Sequence, residues 1–286
     1  MDVPQDRLSD SIISFRNRYP SPLLTLVPED DAFMQMVYQY RADSVMRAVD
    51  KAVTKRIPDL SPIQDELAVA LQKAHQLDSD ITFQHFATFI GSEGYPTRVR
   101  ADRQSKSLLV AIDQYVISEL QCFGYFGDPM FIVHLSDTPY LTTDCMAAIA
   151  HEYIAMPPEP WSLIDYIIAE GKELYFLEQV LPQTPDSIRI RYTSDQYGWM
   201  KDNEKRVWGY LIQNDLLYDT DVMKFHNLID EAPKTNAFGG DSAPRTTEYI
   251  GWHIVRQYMK KNNVSLKELF EETDAQKILS LSSYHP

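Results

Sequence analysis

Between residues 30 and 56 (DDAFMQMVYQYRADSVMRAVDKAVTKR) apolar side chains return every third or fourth position, which gathers them on one side of an α-helix, and Pro58 closes the segment. Residues 62–76 (PIQDELAVALQKAHQ) repeat that spacing with Pro62 near the start. The period then shortens to two. Residues 80–90 (DITFQHFATFI) alternate and are rich in β-branched and aromatic types, while 107–113 (SLLVAID) and 130–135 (MFIVHL) are short apolar runs of strand length. All three read as strands. From residue 142 the helical period resumes in TTDCMAAIAHEYIAM, with Thr142 or Thr143 as N-cap and an end before Pro157-Pro158. PWSLIDYIIAEGKELYFLEQVLP follows as a long amphipathic helix with Gly171 inside it. TSDQYGWMKDNEKRVWGYLIQN and DTDVMKFHNLID each open on a capping residue. APRTTEYIGWHIVRQYMKKN starts after a Gly-Gly-Asp-Ser turn with Pro244 near its first turn, and SLKELFEE, capped by Ser265, is the last helix expected. Helices over 1–79, a small sheet over 80–135 and helices over 136–286 predict a single, predominantly helical α+β domain.

Composition narrows the function classes. The chain has 286 residues, 44% hydrophobic and 24% charged, enough to bury a sizeable core. Its 17 Tyr and 12 Phe against 10 Gly favour a well-packed, helix-rich fold. A formal charge of −14 argues against nucleic acid as a partner and against docking on anionic lipid. No run of 18 apolar residues occurs, and the start MDVPQDRLSD has neither a signal h-region nor the character of a transit peptide. Cys122 and Cys145 lie in no metal-binding spacing, so each is expected as a buried free thiol.

One stretch comes close to a catalytic motif. Residues 148–155, AIAHEYIA, carry His151 and Glu152 as in the zinc-peptidase signature H-E-x-x-H, but Ala155 stands where the second histidine belongs. On a helix His151 and Ala155 would share a face, leaving one imidazole for a metal, with Glu152 placed as general base. The next helix supplies Glu170 and Glu173, of which Glu170 is the natural third ligand. That makes two protein ligands where catalytic zinc ordinarily has three. The plainer reading is a partly buried histidine beside a surface glutamate. The other histidines are scattered, with no H-x-H or H-x-x-H, and no G-x-S-x-G, P-loop or dinucleotide fingerprint is present. Arg245 falls at a helix start, where the dipole favours anions, and Glu248, Trp252 and Arg256 follow at spacing four. They are either an ordinary stripe around a packed tryptophan or the polar wall of a cleft.

The segments GKELYF (171–176), NEKRVWGYL (203–211), GWHIVRQYM (251–259) and the ending ILSLSSYHP resemble the GldB family of gliding-motility lipoproteins of Bacteroidetes over roughly residues 80–286. The resemblance implies a periplasm-facing envelope lipoprotein, anchored through a lipidated N-terminal cysteine that this chain does not include. Its partners would be other envelope or gliding-machinery proteins. It also implies a zincin-like scaffold, in which a helix like 142–156 carries H-E-x-x-H. The expectation is a non-catalytic protein without a cofactor, its cleft formed by His151, Glu152, Glu170, Arg245, Glu248, Trp252 and Arg256. The alternative is a zinc-dependent metallopeptidase using His151 and Glu170 as ligands and Glu152 as base.

Overall fold

Asp43 divides the first expected helix in two. Its backbone is extended (φ −65°, ψ 128°) and its carboxylate accepts from the amides of Val45 at 2.7 Å and Met46 at 3.4 Å, starting a new helix in mid-pattern. The computed structural model describes residues 7–18, 31–91, 98–117 and 129–286. Contacts divide the chain into two compact units, Met1–Asp65 with Thr82–Ala148, and Glu66–Ile81 with Ile149–Pro286.

The first unit begins with α1 (Leu8–Arg18), α2 (Asp31–Ala42), α3 (Ser44–Arg56) and the opening of α4 (Ser61–Leu77). Met46 and Val49 of α3 are buried, with Tyr40, Val53 and Ile90 packed on them. Three strands follow, β1 (His85–Phe89), β2 (Val99–Asp102) and β3 (Ser107–Ala111), in the order β1-β3-β2. β1 runs parallel to β3, with Ala87 opposite Leu109, and β2 runs antiparallel, with Arg100 opposite Leu109. The strands expected at 80–90 and 107–113 are therefore present in shortened form. β2 was not expected, because VRAD is a charged edge strand without an apolar run.

The expected strand at 130–135 is instead a short helix, α5 (Met130–His134). Pro129 supplies the carbonyl that accepts from Ile132 at 2.9 Å and Val133 at 3.2 Å, so the turn closes before a strand can extend. A five-residue apolar run has no period of its own, and its flanks decide it. Next comes α6 (Leu141–His151). Thr142 and Thr143 are buried inside it, past its first residue, and so are not its N-cap; Asp137 caps the 3-10 turn ahead of it, accepting from Thr138 at 2.7 Å. Cys145 is a buried free thiol, as expected, and Cys122 lies outside the described residues.

The second unit holds α7 (Leu163–Val180), α8 (Asp186–Arg189), α9 (Ser194–Gln213), α10 (Val222–Ile229), α11 (Thr246–Lys261), α12 (Leu266–Glu271) and α13 (Ala275–Ser282). Local chemistry sets most of the starts. Ser162 donates from amide and hydroxyl to Asp165, at 2.8 and 2.6 Å, and Thr193 exchanges bonds with Gln196. Ser265 pairs with Glu268 in the same way, as its position at the start of SLKELFEE predicts. A further helix, α13, follows it, opened by Asp274 accepting from the amide of Lys277 at 2.9 Å. No helix among the described residues is long and apolar enough to cross a membrane.

Candidate functional site

Two glycines bring the site together. α7 and α11 cross where Gly171 faces Gly251, so closely that a methyl group on either would run into backbone of the other helix. A Cβ on Gly251 would overlap the carbonyl oxygen of Ile167, and one on Gly171 that of Gly251. The crossing sets the acidic side chains just along α7, Glu170 and Glu173, against the head of α11.

Arg245 occupies the N-cap of α11 with a left-handed backbone (φ 43°), uncommon for a residue with a side chain. Its guanidinium is buried. It donates to Glu248 at 2.5 Å and to the carbonyls of Ile190 and Arg191 at 3.1 and 3.3 Å, lies 3.2 Å from Glu231, and covers the Tyr192 ring at 5.6 Å. The Tyr192 hydroxyl in turn donates to the carbonyls of Pro244 and Arg245 at 2.8 and 3.1 Å. Burial works against the arginine charge, and the carboxylates of Glu248 and Glu231 more than restore it. Burial likewise pushes Glu170 well above the ordinary carboxylate range, helped by the charges of Glu248 and Glu173 and opposed by His151 and Arg245. Glu248 is also raised, by burial first, with Arg245 opposing and Glu173 and Glu231 assisting. Four glutamates thus lie within reach of one another's charge, two of them, Glu248 and Glu231, against the guanidinium, and such a cluster favours retention of a proton near neutral pH.

His151 adds the second cation. Its Nε2 lies 2.6 Å from Glu173, and that short contact raises the imidazole above its ordinary value, aided by the charges of Glu173, Glu170 and Glu152 and opposed by burial. The glutamate that His151 meets is therefore Glu173 and not Glu170. The side chain of His151 is 63% exposed, so solvent screens much of this interaction.

The helical premise of the motif fails at this residue. α6 ends at His151, and the chain turns through Glu152 and Tyr153, whose amides bond back to Ile149 and Ala150 at 3.1 and 3.0 Å. Ala155 then donates its amide to the carbonyl of Phe270 at 2.8 Å. His151 and Ala155 consequently do not share a helix face. The donor set also fits zinc poorly. The one imidazole here has its Nε2 against Glu173, the acidic cluster already holds a guanidinium, and no group of three His, Cys, Asp or Glu among the described residues is arranged to hold a metal ion.

Comparison with known proteins places the chain. The family model described as gliding motility protein GldB matches residues 3–286. The chain belongs to the GldB family. The match takes in the N-terminal helices, which the motifs quoted above did not reach. Neither the curated proteins nor the solved structures yield a match.

The four segments that carry the likeness to GldB meet in space. GKELYF and GWHIVRQYM provide the two glycines of the crossing. NEKRVWGYL, GWHIVRQYM and the terminal SSYHP join at Glu204, which lies 2.6 Å from Nδ1 of His253 and accepts from the Tyr284 hydroxyl at 2.7 Å. The Tyr284 ring stands edge-on to Trp208 at 5.2 Å. Trp252 is fully buried and donates to Glu178 at 3.0 Å, while Arg256 lies 3.8 Å over the indole and donates to the same carboxylate at 2.6 Å. The stripe Glu248, Trp252, Arg256 is thus split. Glu248 belongs with Arg245, Glu170, Glu173 and His151. Trp252 and Arg256 belong to a network with Glu178 and His253 that fastens the C-terminal tail. Sequence reasoning missed Tyr192, Glu231, Glu178 and Glu204. For Glu204 the signal was available, since it lies within a segment already singled out as distinctive.

Proposed function

We propose that this chain is a non-catalytic lipoprotein of the bacterial envelope, facing the periplasm and acting with other proteins of the gliding machinery, on a scaffold related to the zinc-peptidase fold. Membership of the GldB family supports the envelope and gliding association. The observation that carries the non-catalytic reading is the end of α6 at His151, which removes the one-turn spacing that zinc chemistry requires of this motif. Without a metal, a water beside Glu152 keeps a pKa far above 7, and hydroxide attack is not available to it. The kinship with zinc peptidases is supported by the surviving pair in which the histidine of one helix meets a glutamate of the next. In this reading the cluster is structural, and Arg245 supplies the positive charge its carboxylates need.

Elemental analysis of untagged protein, run beside a peptide-library cleavage assay, tests this. No stoichiometric zinc and no chelator-sensitive cleavage are expected, and Ala155→His alone should create no zinc site because residue 155 is off the helix. One zinc per chain, with cleavage lost in Glu152→Gln, would overturn the non-catalytic reading. Acyl labelling and fractionation of the full-length gene product test the anchor, and an unlabelled soluble product would remove that part.

A further inference from the structure

Four of the eight large apolar side chains exposed among the described residues fall within twelve positions: Ile212, Tyr218, Val222 and Met223, the last 75% exposed. They stand on the corner where α9 gives way to α10. The same corner sends Leu216, Leu217 and Phe225 into the core, so its inward positions are already filled and folding does not account for the outward ones. Nor is the corner a loose loop. Leu216 donates to Leu211 at 3.0 Å, Ile164 donates to Leu217 at 2.8 Å, Leu163 donates to Asp219 at 3.1 Å, and Asp221 caps α10 from the Met223 amide at 3.1 Å. A fixed backbone therefore holds a methionine and a tyrosine out into water. Clustered exposure of this kind marks interaction surfaces, and tyrosine and methionine are side chains that interfaces favour.

Charge selects the occupant. The ionised groups between 212 and 224 are Asp215, Asp219, Asp221 and Lys224, and the lysine is tied to Asp219 at 2.6 Å. We propose that this corner docks a segment of another protein in which a large apolar side chain is flanked by lysine or arginine. A second copy of the chain fits badly, because a two-fold contact would set Asp215 and Asp221 against their own images. A bilayer fits badly as well, since anionic headgroups would face the same aspartates. The proposal stands apart from the envelope reading, as it rests on this corner alone.

The test is selection of phage-displayed dodecapeptides on the intact chain, with counter-selection on a Tyr218→Ser/Met223→Ser variant of unchanged circular dichroism. Both side chains are exposed, so the fold should tolerate the change. The expected winners carry Leu, Phe or Trp between Lys or Arg. Their synthetic versions should bind the double variant at least about tenfold more weakly and should weaken as salt is raised. Asp215→Asn removes a charge at a left-handed position (φ 52°) that asparagine tolerates, and it should weaken binding about two- to threefold. Winners that are acidic or uncharged, or that bind the double variant equally well, would overturn the proposal. So would self-association, or anionic-vesicle binding, that the double variant abolishes.

Discussion

Gly251→Ala sets two effects of opposite sign against each other. In a helix interior alanine is favoured over glycine by about 1 kcal/mol, so propensity alone predicts a more stable protein. The structure predicts the reverse. The new methyl group would meet the carbonyl oxygen of Ile167 and lie 3.2 Å from the amide nitrogen of Gly171, and neither is a side chain that can rotate away. The helices must part. Ile167, Ile168 and Leu174 of α7 and Ile250, Ile254 and Val255 of α11 are all buried, so a gap of even half an ångström forfeits a quarter or more of their dispersion contact. Overpacking ordinarily costs about 1–3 kcal/mol, and with backbone on both sides the upper end applies. Net of the propensity gain, we expect a loss of about 2 kcal/mol, a fall in Tm of roughly 4–8 °C for a unit of this size. Gly171→Ala should behave alike, and the double variant should lose less than the sum, because helices already parted admit the second methyl group. Gly198 and Gly209 on α9 have nothing within 4 Å of a built Cβ, so alanine there should be stabilising by up to about 1 kcal/mol. Urea titrations with circular dichroism measure all five variants. Should Gly251→Ala match Gly209→Ala in sign, the close crossing and the reasoning built on it are wrong.

The buried cluster predicts that stability falls as pH rises from the ordinary carboxylate range toward pH 8. Glu170 and Glu248 hold protons in the folded state that the unfolded chain has released, and the raised His151 contributes stability present below its ordinary value and lost as pH climbs through the folded one. Urea midpoints between pH 5.5 and 8 should show a decline on the order of 2 kcal/mol, flattened in Glu170→Gln, and a rise over that range would refute the assignment. Lys172, buried and lowered to about 8 by desolvation, has the opposite sign and offsets part of the decline above pH 8, so Lys172→Met should steepen the fall there. Arg245→Met removes the guanidinium from Glu248 and Glu231 and should cost about 3–5 kcal/mol at pH 8, with a smaller penalty near pH 5, where the glutamates protonate. Equal penalties at the two pH values would show that the arginine acts through packing alone.

Periodicity found the second unit well, because α7, α9 and α11 are long enough to show a period and Ser162, Thr193 and Ser265 announce their starts. It did less well where elements are short. The run at 130–135 became a helix on the strength of Pro129, and VRAD became a strand because β3 offered it an edge. α13 was missed although Asp274 caps it, because the reading closed at the preceding helix. Asp43 shows a different limit: the apolar period runs through it unbroken, and only its carboxylate, three bonds from the backbone, decides that the helix restarts. At the site the right helices were named but not the right partner. Glu170 and Glu173 are three residues apart on one face, and which of them meets His151 depends on where α6 stops, which the helical pattern through residue 156 does not reveal.

The stop at His151 and the guanidinium of Arg245 are two sides of one argument. Four glutamates, Glu170, Glu173, Glu231 and Glu248, converge where α7 meets the head of α11, and taking carboxylates out of water is costly unless positive charge is placed among them. A divalent cation could fill that role only if the chain presented several ligands at fixed spacing. Here the segment after His151 leaves the helix and ties its Ala155 amide to Phe270 instead. Arg245 fills the role from within the chain, donating from Nη1 to Glu248, lying against Glu231, and donating from Nη2 to the carbonyls of Ile190 and Arg191. It can do so because its own backbone adopts a left-handed turn at the start of α11. A cation supplied by the chain cannot dissociate, activate water or bind a substrate carbonyl as a Lewis acid. What it can do is hold the head of α11, Glu231 and the loop after α8 in register.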